Sequence, residues 1–186
     1  MRRLPLIHAV LWLLVLWLLP AYACSSNPYG YAPEYVPLSD EESYDEHGLE
    51  LSYEEVRRDP MGNQDKSLAW FGLVESVKPV AGKDQVTVAM QLVFHQPRHL
   101  CSDQFDSSCR VTISEKSGGP WTAVLTLKPE NRAGRDRITP GSLLKVYGHV
   151  ATDYDERGGP IVTAQYYRHW PHGTYVNTRR AGNMRR

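Results

Sequence analysis

The chain has 186 residues and sets 21 Lys+Arg against 21 Asp+Glu, a formal net charge of zero with histidine neutral. That balance, slightly acidic once Arg2 and Arg3 are set aside, gives no bulk attraction for a polyanion, so no nucleic-acid partner is expected. With domains typically spanning about 100–150 residues, the part after an acidic N-terminal stretch holds one small domain.

Arg2 and Arg3 precede an apolar run from Leu4 to Leu19, followed by Pro20-Ala21-Tyr22-Ala23-Cys24. A charged start, an apolar middle and a small-x-small site form an export signal, here residues 1–23. The run is shorter than the roughly 20 apolar residues of a transmembrane helix, and Pro20 ends it. Ala21-Tyr22-Ala23-Cys24 resembles the lipobox of bacterial lipoproteins, with Ala21 where leucine is usual and Tyr22 bulkier than the pattern. The resemblance implies acylation of Cys24 and attachment to a membrane through that lipid. Ser25 stands where inner-membrane lipoproteins often carry Asp, which implies the outer membrane. Ala21-x-Ala23 also suits the ordinary signal peptidase, whose product would be periplasmic or secreted and would carry a free thiol, a liability in an oxidising compartment.

Residues 24–66 read as a flexible acidic tether. Pro28, Pro33 and Pro37 with Gly30 mark an extended start. Ser39 to Glu50 is too acidic and too poor in aliphatics to join a core. Ser52-Tyr53-Glu54-Glu55 matches a capping box and predicts a short helix from Tyr53 to Arg58, stopped by Asp59-Pro60.

From Ser67 the pattern becomes β. Leu68 to Val77 is an apolar run broken by Gly72, and a turn at Pro79–Asp84 leads into Val86–Phe94, where Val86, Val88, Met90, Leu92 and Phe94 alternate. Arg110–Glu115 and Trp121–Leu127 read as further strands separated by Gly118-Gly119-Pro120. A polar connection, Lys128 to Arg137, precedes Leu143–Ala151, and Gly158-Gly159-Pro160 turns that strand into Ile161–Trp170. Five or six strands without a long helix, one with a mid-strand glycine suited to a sharp bend, give an all-β fold. The expected architecture is a small five- to six-stranded OB-like Greek-key barrel over residues 67–172, with an immunoglobulin-like sandwich as the alternative. Residues 173–186 form a basic tail with Arg179, Arg180, Arg185 and Arg186.

Gly141-Ser142-Leu143-Leu144-Lys145-Val146-Tyr147-Gly148-His149-Val150 and Pro160 to Pro171, with Tyr166-Tyr167-Arg168-His169-Trp170, resemble the closing hairpin of the Slp-type outer-membrane lipoproteins. The chain departs from them in its cysteine-bearing loop and in lacking a leucine between His169 and Trp170. The resemblance implies a barrel at the outer membrane with an envelope role rather than a reaction.

Two clusters are rich enough to carry chemistry. His95, His99, Cys101 and Cys109 have the ligand types of a tetrahedral zinc site. In an oxidising compartment the same spacing is better read as a Cys101–Cys109 disulfide, stabilising by about 2–3 kcal/mol, with no metal. Tyr166, Arg168, His169 and Trp170 interleave aromatic and cationic groups that can stack on and hold a glycan of the cell envelope. No Gly-x-Ser-x-Gly, His-Glu-x-x-His or phosphate-binding glycine loop is present, so no catalytic residue and no cofactor is expected. Asp153-Tyr154-Asp155-Glu156 reads as acids solvating a turn rather than as a calcium loop. The sequence therefore describes a non-enzymatic envelope lipoprotein with a structural or interaction role, partnered by a protein or glycan of the envelope.

Overall fold

The computed structural model describes residues 31–32, 37–47, 51–64, 66–95, 99–100 and 111–177. Among them the strands are β1 (Tyr31–Ala32), β2 (Ser67–Pro79), β3 (Val86–His95), β4 (His99–Leu100), β5 (Thr112–Leu125), β6 (Leu143–Tyr154), β7 (Pro160–Trp170) and β8 (Val176–Asn177). Two helices, α1 (Ser39–Asp45) and α2 (Tyr53–Arg58), precede the long strands, and a 3-10 turn at Pro129–Asn131 separates β5 from β6.

The five long strands close into a ring. β2 pairs with β3, β3 with β5, β2 with β6 and β6 with β7, all antiparallel. A short parallel seam, Thr122↔Ile161, Ala123↔Val162 and Val124↔Thr163, joins β5 to β7 and completes it. This is the expected OB-type barrel. β8 adds a strand parallel to the start of β5, and β1 pairs separately with β4.

Alternation builds the interior. Val88, Met90 and Leu92 point inward at the strand period of two and meet Trp121, Ala123, Leu125, Val146 and Val150 in one buried cluster. Trp121 meets Trp70 edge-on, with ring centroids 5.5 Å apart, an arrangement that ring quadrupoles favour. At Gly72 a Cβ would stand 2.7 Å from Met90 Sδ and 2.7 Å from Trp121 Cζ2, so the backbone itself lines the core there.

The break expected at Gly118-Gly119-Pro120 does not occur, and β5 runs through it. Pro120 lies opposite Gln91 beside a register shift, where a missing N–H is tolerated. The absent side chain of Gly119 leaves room for Tyr53, whose hydroxyl donates to the Pro120 carbonyl at 3.0 Å. α2 forms as the capping box predicts, Ser52 Oγ accepting the Glu55 N–H at 3.3 Å, and its Tyr53 and Val56 join the main core.

The expectation of a flexible tether fails at α1. Ser39–Asp45 is helical, and Glu41 is fully buried against the barrel. No apolar residue of α1 belongs to either buried cluster, so a search for aliphatics could not have found its attachment, which is polar. The folded unit also reaches beyond residues 67–172, because Gln64 bridges to Val150 and β8 lies in the expected tail.

A second buried cluster lies on the outer face of the sheet and contains Phe71, Val93, Val111, Ile113, Leu143 and Trp170. No helix of the described residues is long and apolar enough to cross a membrane.

Candidate functional site

The residues proposed from sequence to hold a glycan do not form one open site. Across β6 and β7 the pairs Leu143↔Trp170, Lys145↔Arg168 and Tyr147↔Tyr166 share the outer face. Trp170 is only 6% exposed, within the outer cluster, with the Arg168 guanidinium 4.7 Å above its ring. Tyr166 stacks on Tyr44 of α1 with centroids 5.1 Å apart and planes 16° from parallel. Arg168 Nη1 lies 3.2 Å from Glu41 Oε2. α1 therefore lies over Tyr166 and Arg168, two of the side chains expected to hold a glycan.

The polar seam under α1 is dense. Glu41 accepts the Leu38 N–H at 3.0 Å, and the Tyr147 hydroxyl stands 2.6 Å from Glu41 Oε1 and 2.7 Å from Asp45 Oδ1. Lys145 Nζ reaches Asp45 at 2.6 Å and Glu41 at 4.0 Å. Burial pushes the Lys145 ammonium below its ordinary value, although both acids oppose that shift. Burial also resists ionisation of Asp45, but hydrogen bonds from Lys145 and Tyr147 outweigh it and hold the carboxyl low. The two shifts have one geometric source, a partly buried pair in which each group is the other's counter-charge.

His169 faces the other side of β7. Its Nδ1 lies 3.1 Å from Asn131 Nδ2 and its Nε2 3.1 Å from Ser142 Oγ. This Ser-His-Asn order looks like a nucleophile with its base, but the hydrogen bonds argue otherwise. Asn131 Oδ1 accepts from the Tyr167 hydroxyl at 2.9 Å, so its amide nitrogen donates to His169 Nδ1. The network thereby assigns the ring proton to Nε2, which donates to Ser142 and cannot take its proton. Ser142 is fully buried and closed to a substrate. Burial holds the His169 imidazole at about 4, below its ordinary value, so it is neutral at physiological pH. The three side chains tie the β5–β6 connection to the barrel.

Cys24, Cys101 and Cys109 lie outside the described residues, so lipidation, disulfide and the zinc alternative rest on sequence alone. Of that cluster, His95 ends β3 with its ring stacked on Phe71 at 5.4 Å, and the backbone of His99 pairs with Ala32. Among the described residues no three His, Cys, Asp or Glu side chains are grouped to hold a metal ion.

An open groove of about 460 Å³ lies elsewhere, between the strands of the β2–β3 hairpin and the β6–β7 turn. Its floor holds Ser76 of β2, Thr87 and Ala89 of β3 and Thr122 of β5, and its rim is the turn Tyr154–Arg157 with Glu75 and Lys78. Asp155 organises the rim by accepting from the Thr122 hydroxyl at 2.7 Å and from the Gly159 and Arg157 N–H groups at 2.8 and 2.9 Å. Burial raises the cost of its charge, but those donors and the Arg157 side chain prevail and hold the carboxyl below the usual range. Arg157 also pairs with Glu75 and donates to the Trp121 carbonyl at 2.8 Å. The Tyr154 ring is 46% exposed and is fixed by its hydroxyl, which donates to Arg57 O at 2.9 Å. Sequence reading treated these acids as solvating a turn. The overlooked signal was an Asp two residues before an Arg N–H in a glycine-bearing turn, the pattern by which an Asx side chain caps its own loop.

No family model and no curated protein matches the chain. Among solved structures it is similar to the small single-stranded DNA-binding protein from Streptomyces coelicolor, at 10% identity and a TM-score of 0.34, over 58% of this chain and 94% of that one. It is likewise similar to the protein PriB from Ralstonia solanacearum, at 13% identity and a TM-score of 0.30, over 56% of this chain and 97% of that one. The likeness is one of barrel architecture. It also corrects one expectation, since a barrel of this architecture occurs in a protein named for binding single-stranded DNA and the exclusion of nucleic acid is withdrawn. The physical fault in that exclusion is plain: net charge sums the whole chain, whereas a ligand meets the potential of one face.

Proposed function

We propose that the chain is an exported, lipid-anchored, non-enzymatic envelope protein whose barrel groove binds a hydroxylated polymer, an envelope glycan. The N-terminal sequence supports the address, with Cys24 as the acylated residue and the outer membrane as the destination. The observation that carries the binding role is the groove beside the β6–β7 turn. Glu75, Asp155 and Glu156 against Lys78 and Arg157 give it mixed charge, suited to neutral hydroxyl groups. Threonine and serine hydroxyls line its floor, and Tyr154 offers a fixed ring face on which a sugar can stack. Arg157 and Asp155 are locked by their own hydrogen bonds, so little ordering opposes binding.

Titration of the mature protein with envelope oligosaccharides, read by tryptophan and tyrosine fluorescence, tests this reading, with oligothymidylate titrated in parallel. Tyr154→Ala should weaken oligosaccharide binding by about tenfold, the equivalent of about 1.4 kcal/mol, without changing the thermal midpoint. An affinity untouched by Tyr154→Ala, or a groove that takes only oligothymidylate, would overturn the glycan reading.

A further inference from the structure

The two helices ahead of the barrel are attached by different physics. α2 inserts Tyr53 and Val56 into the main core, whereas the one buried side chain of α1 is Glu41. Among the described residues, α1 is held by charges, hydroxyls and a stacked ring: Glu41 on Tyr147 and Arg168, Asp45 on Lys145, and Tyr44 on Tyr166. Beneath it lies a face whose groups are complementary to an acid. Lys145 and Arg168 are paired neighbours across β6 and β7, Tyr147 and Tyr166 are the next pair, and Lys128 Nζ lies 4.1 Å from the Tyr166 ring centroid.

We infer that this outer face of the β6–β7 hairpin is a second binding site, for a carboxylate-bearing polysaccharide, and that α1 occupies it as a built-in competitor. Each element of α1 stands for a part of such a ligand. Glu41 and Asp45, one helical turn apart and so separated by about 6 Å along the axis, hold the places of successive carboxylates. Tyr44, lying flat on Tyr166, holds the place of a sugar-ring face. A chain segment that puts no side chain into either buried apolar cluster can leave without opening the barrel, because the hydrophobic term that fixes the core is not involved. Displacement exchanges one set of carboxylates for another on the same cations, so neither Lys145 nor Arg168 is left buried without an acid. The site lies apart from the groove, and its failure would leave the groove reading intact.

Oligogalacturonate is the probe, with uncharged dextran oligomers and oligothymidylate as comparisons, on the full mature chain. Tyr44→Ala combined with Asp45→Asn loosens α1 without touching the barrel core. Since an occluded site binds in proportion to its open fraction, this variant should bind oligogalacturonate at least about tenfold more tightly than wild type. Adding Arg168→Gln to that variant should abolish the gain, and Tyr154→Ala in the groove should leave it unchanged. In the wild-type protein, oligogalacturonate should speed amide exchange of Ser39–Asp45, because ligand and helix compete. Unchanged or slowed exchange, no gain on loosening, a gain indifferent to Arg168→Gln, or an equal gain for dextran would each overturn the proposal. A larger gain for oligothymidylate would overturn it in favour of a nucleic-acid surface.

Discussion

Tyr147 and Glu41, 106 positions apart in sequence, bring their side-chain oxygens to 2.6 Å in a fully buried contact. The Tyr147 hydroxyl proton stands between two carboxylates, with Asp45 Oδ1 at 2.7 Å, and Lys145 Nζ lies 2.6 Å from that same oxygen. Tyr147→Phe removes that proton and leaves both acids to face an apolar ring edge. A loss of about 1–3 kcal/mol is expected, read as a lower urea midpoint. An unchanged midpoint would mean that α1 contributes nothing to the stability of the barrel.

Gly72 tests the packing of the interior. Gly72→Ala sets a methyl 2.7 Å from both Met90 Sδ and Trp121 Cζ2. Met90 is flexible and can yield, but Trp121 is fully buried and held between Trp70 and the backbone. The variant should lose about 1–3 kcal/mol, and Met90→Ala in the same chain should restore part of it by making room.

His169 gives a pH dependence of known sign. The unfolded chain takes up its proton near 6.5, whereas the folded chain resists until about 4. Between those values the unfolded state binds more protons, so stability is full above about 6.5 and falls as pH drops toward 4. His169→Gln should flatten the thermal-midpoint profile across that window. A profile identical to wild type would place the ring in solvent.

Asp155 works in the opposite charge sense. Its folded carboxyl titrates below the ordinary value of 3.8, so its contribution is present above that value and lost as pH falls through the depressed one. Asp155→Asn should cost about 2 kcal/mol through the donors Thr122, Gly159 and Arg157. It should also weaken oligosaccharide binding in the groove, measured by the fluorescence titration.

Export can be read from mass alone. Protein taken from its own membrane under non-reducing conditions should begin at Cys24, carry a diacylglyceryl group and a further acyl chain, and lack the hydrogens of one disulfide. An unmodified chain beginning at Cys24 would make it a soluble exported protein.

What the sequence made legible was whatever depends on apolar spacing. Val88, Met90 and Leu92 announced the inward face of β3, and Gly158-Gly159-Pro160 announced the turn of the β6–β7 hairpin. Gly118-Gly119-Pro120 misled because composition cannot show a bulge opposite Gln91 or a tyrosine arriving from α2 to use the space. The aromatic and cationic run at Tyr166–Trp170 stood out in the sequence, but its cover did not. That cover is a charged helix with no hydrophobic period, docked through polar atoms and one stacked tyrosine ring, and such contacts leave no periodic trace. The groove was missed for a related reason, since its residues come from five strands and their longest consecutive run is Tyr154 to Arg157.

The parallel seam of β5 and β7 sets an order on the life of the molecule. Three residue pairs seal the ring, and their second half, Ile161 to Thr163, belongs to the last of the five long strands to be synthesised. A chain truncated before Pro160 has the β2–β3–β5 meander and β6 but no strand to join their far edges, so both remain open to pairing with other chains. Closure therefore waits for β7, and the ring stays unsealed until that strand has been made and has met β5.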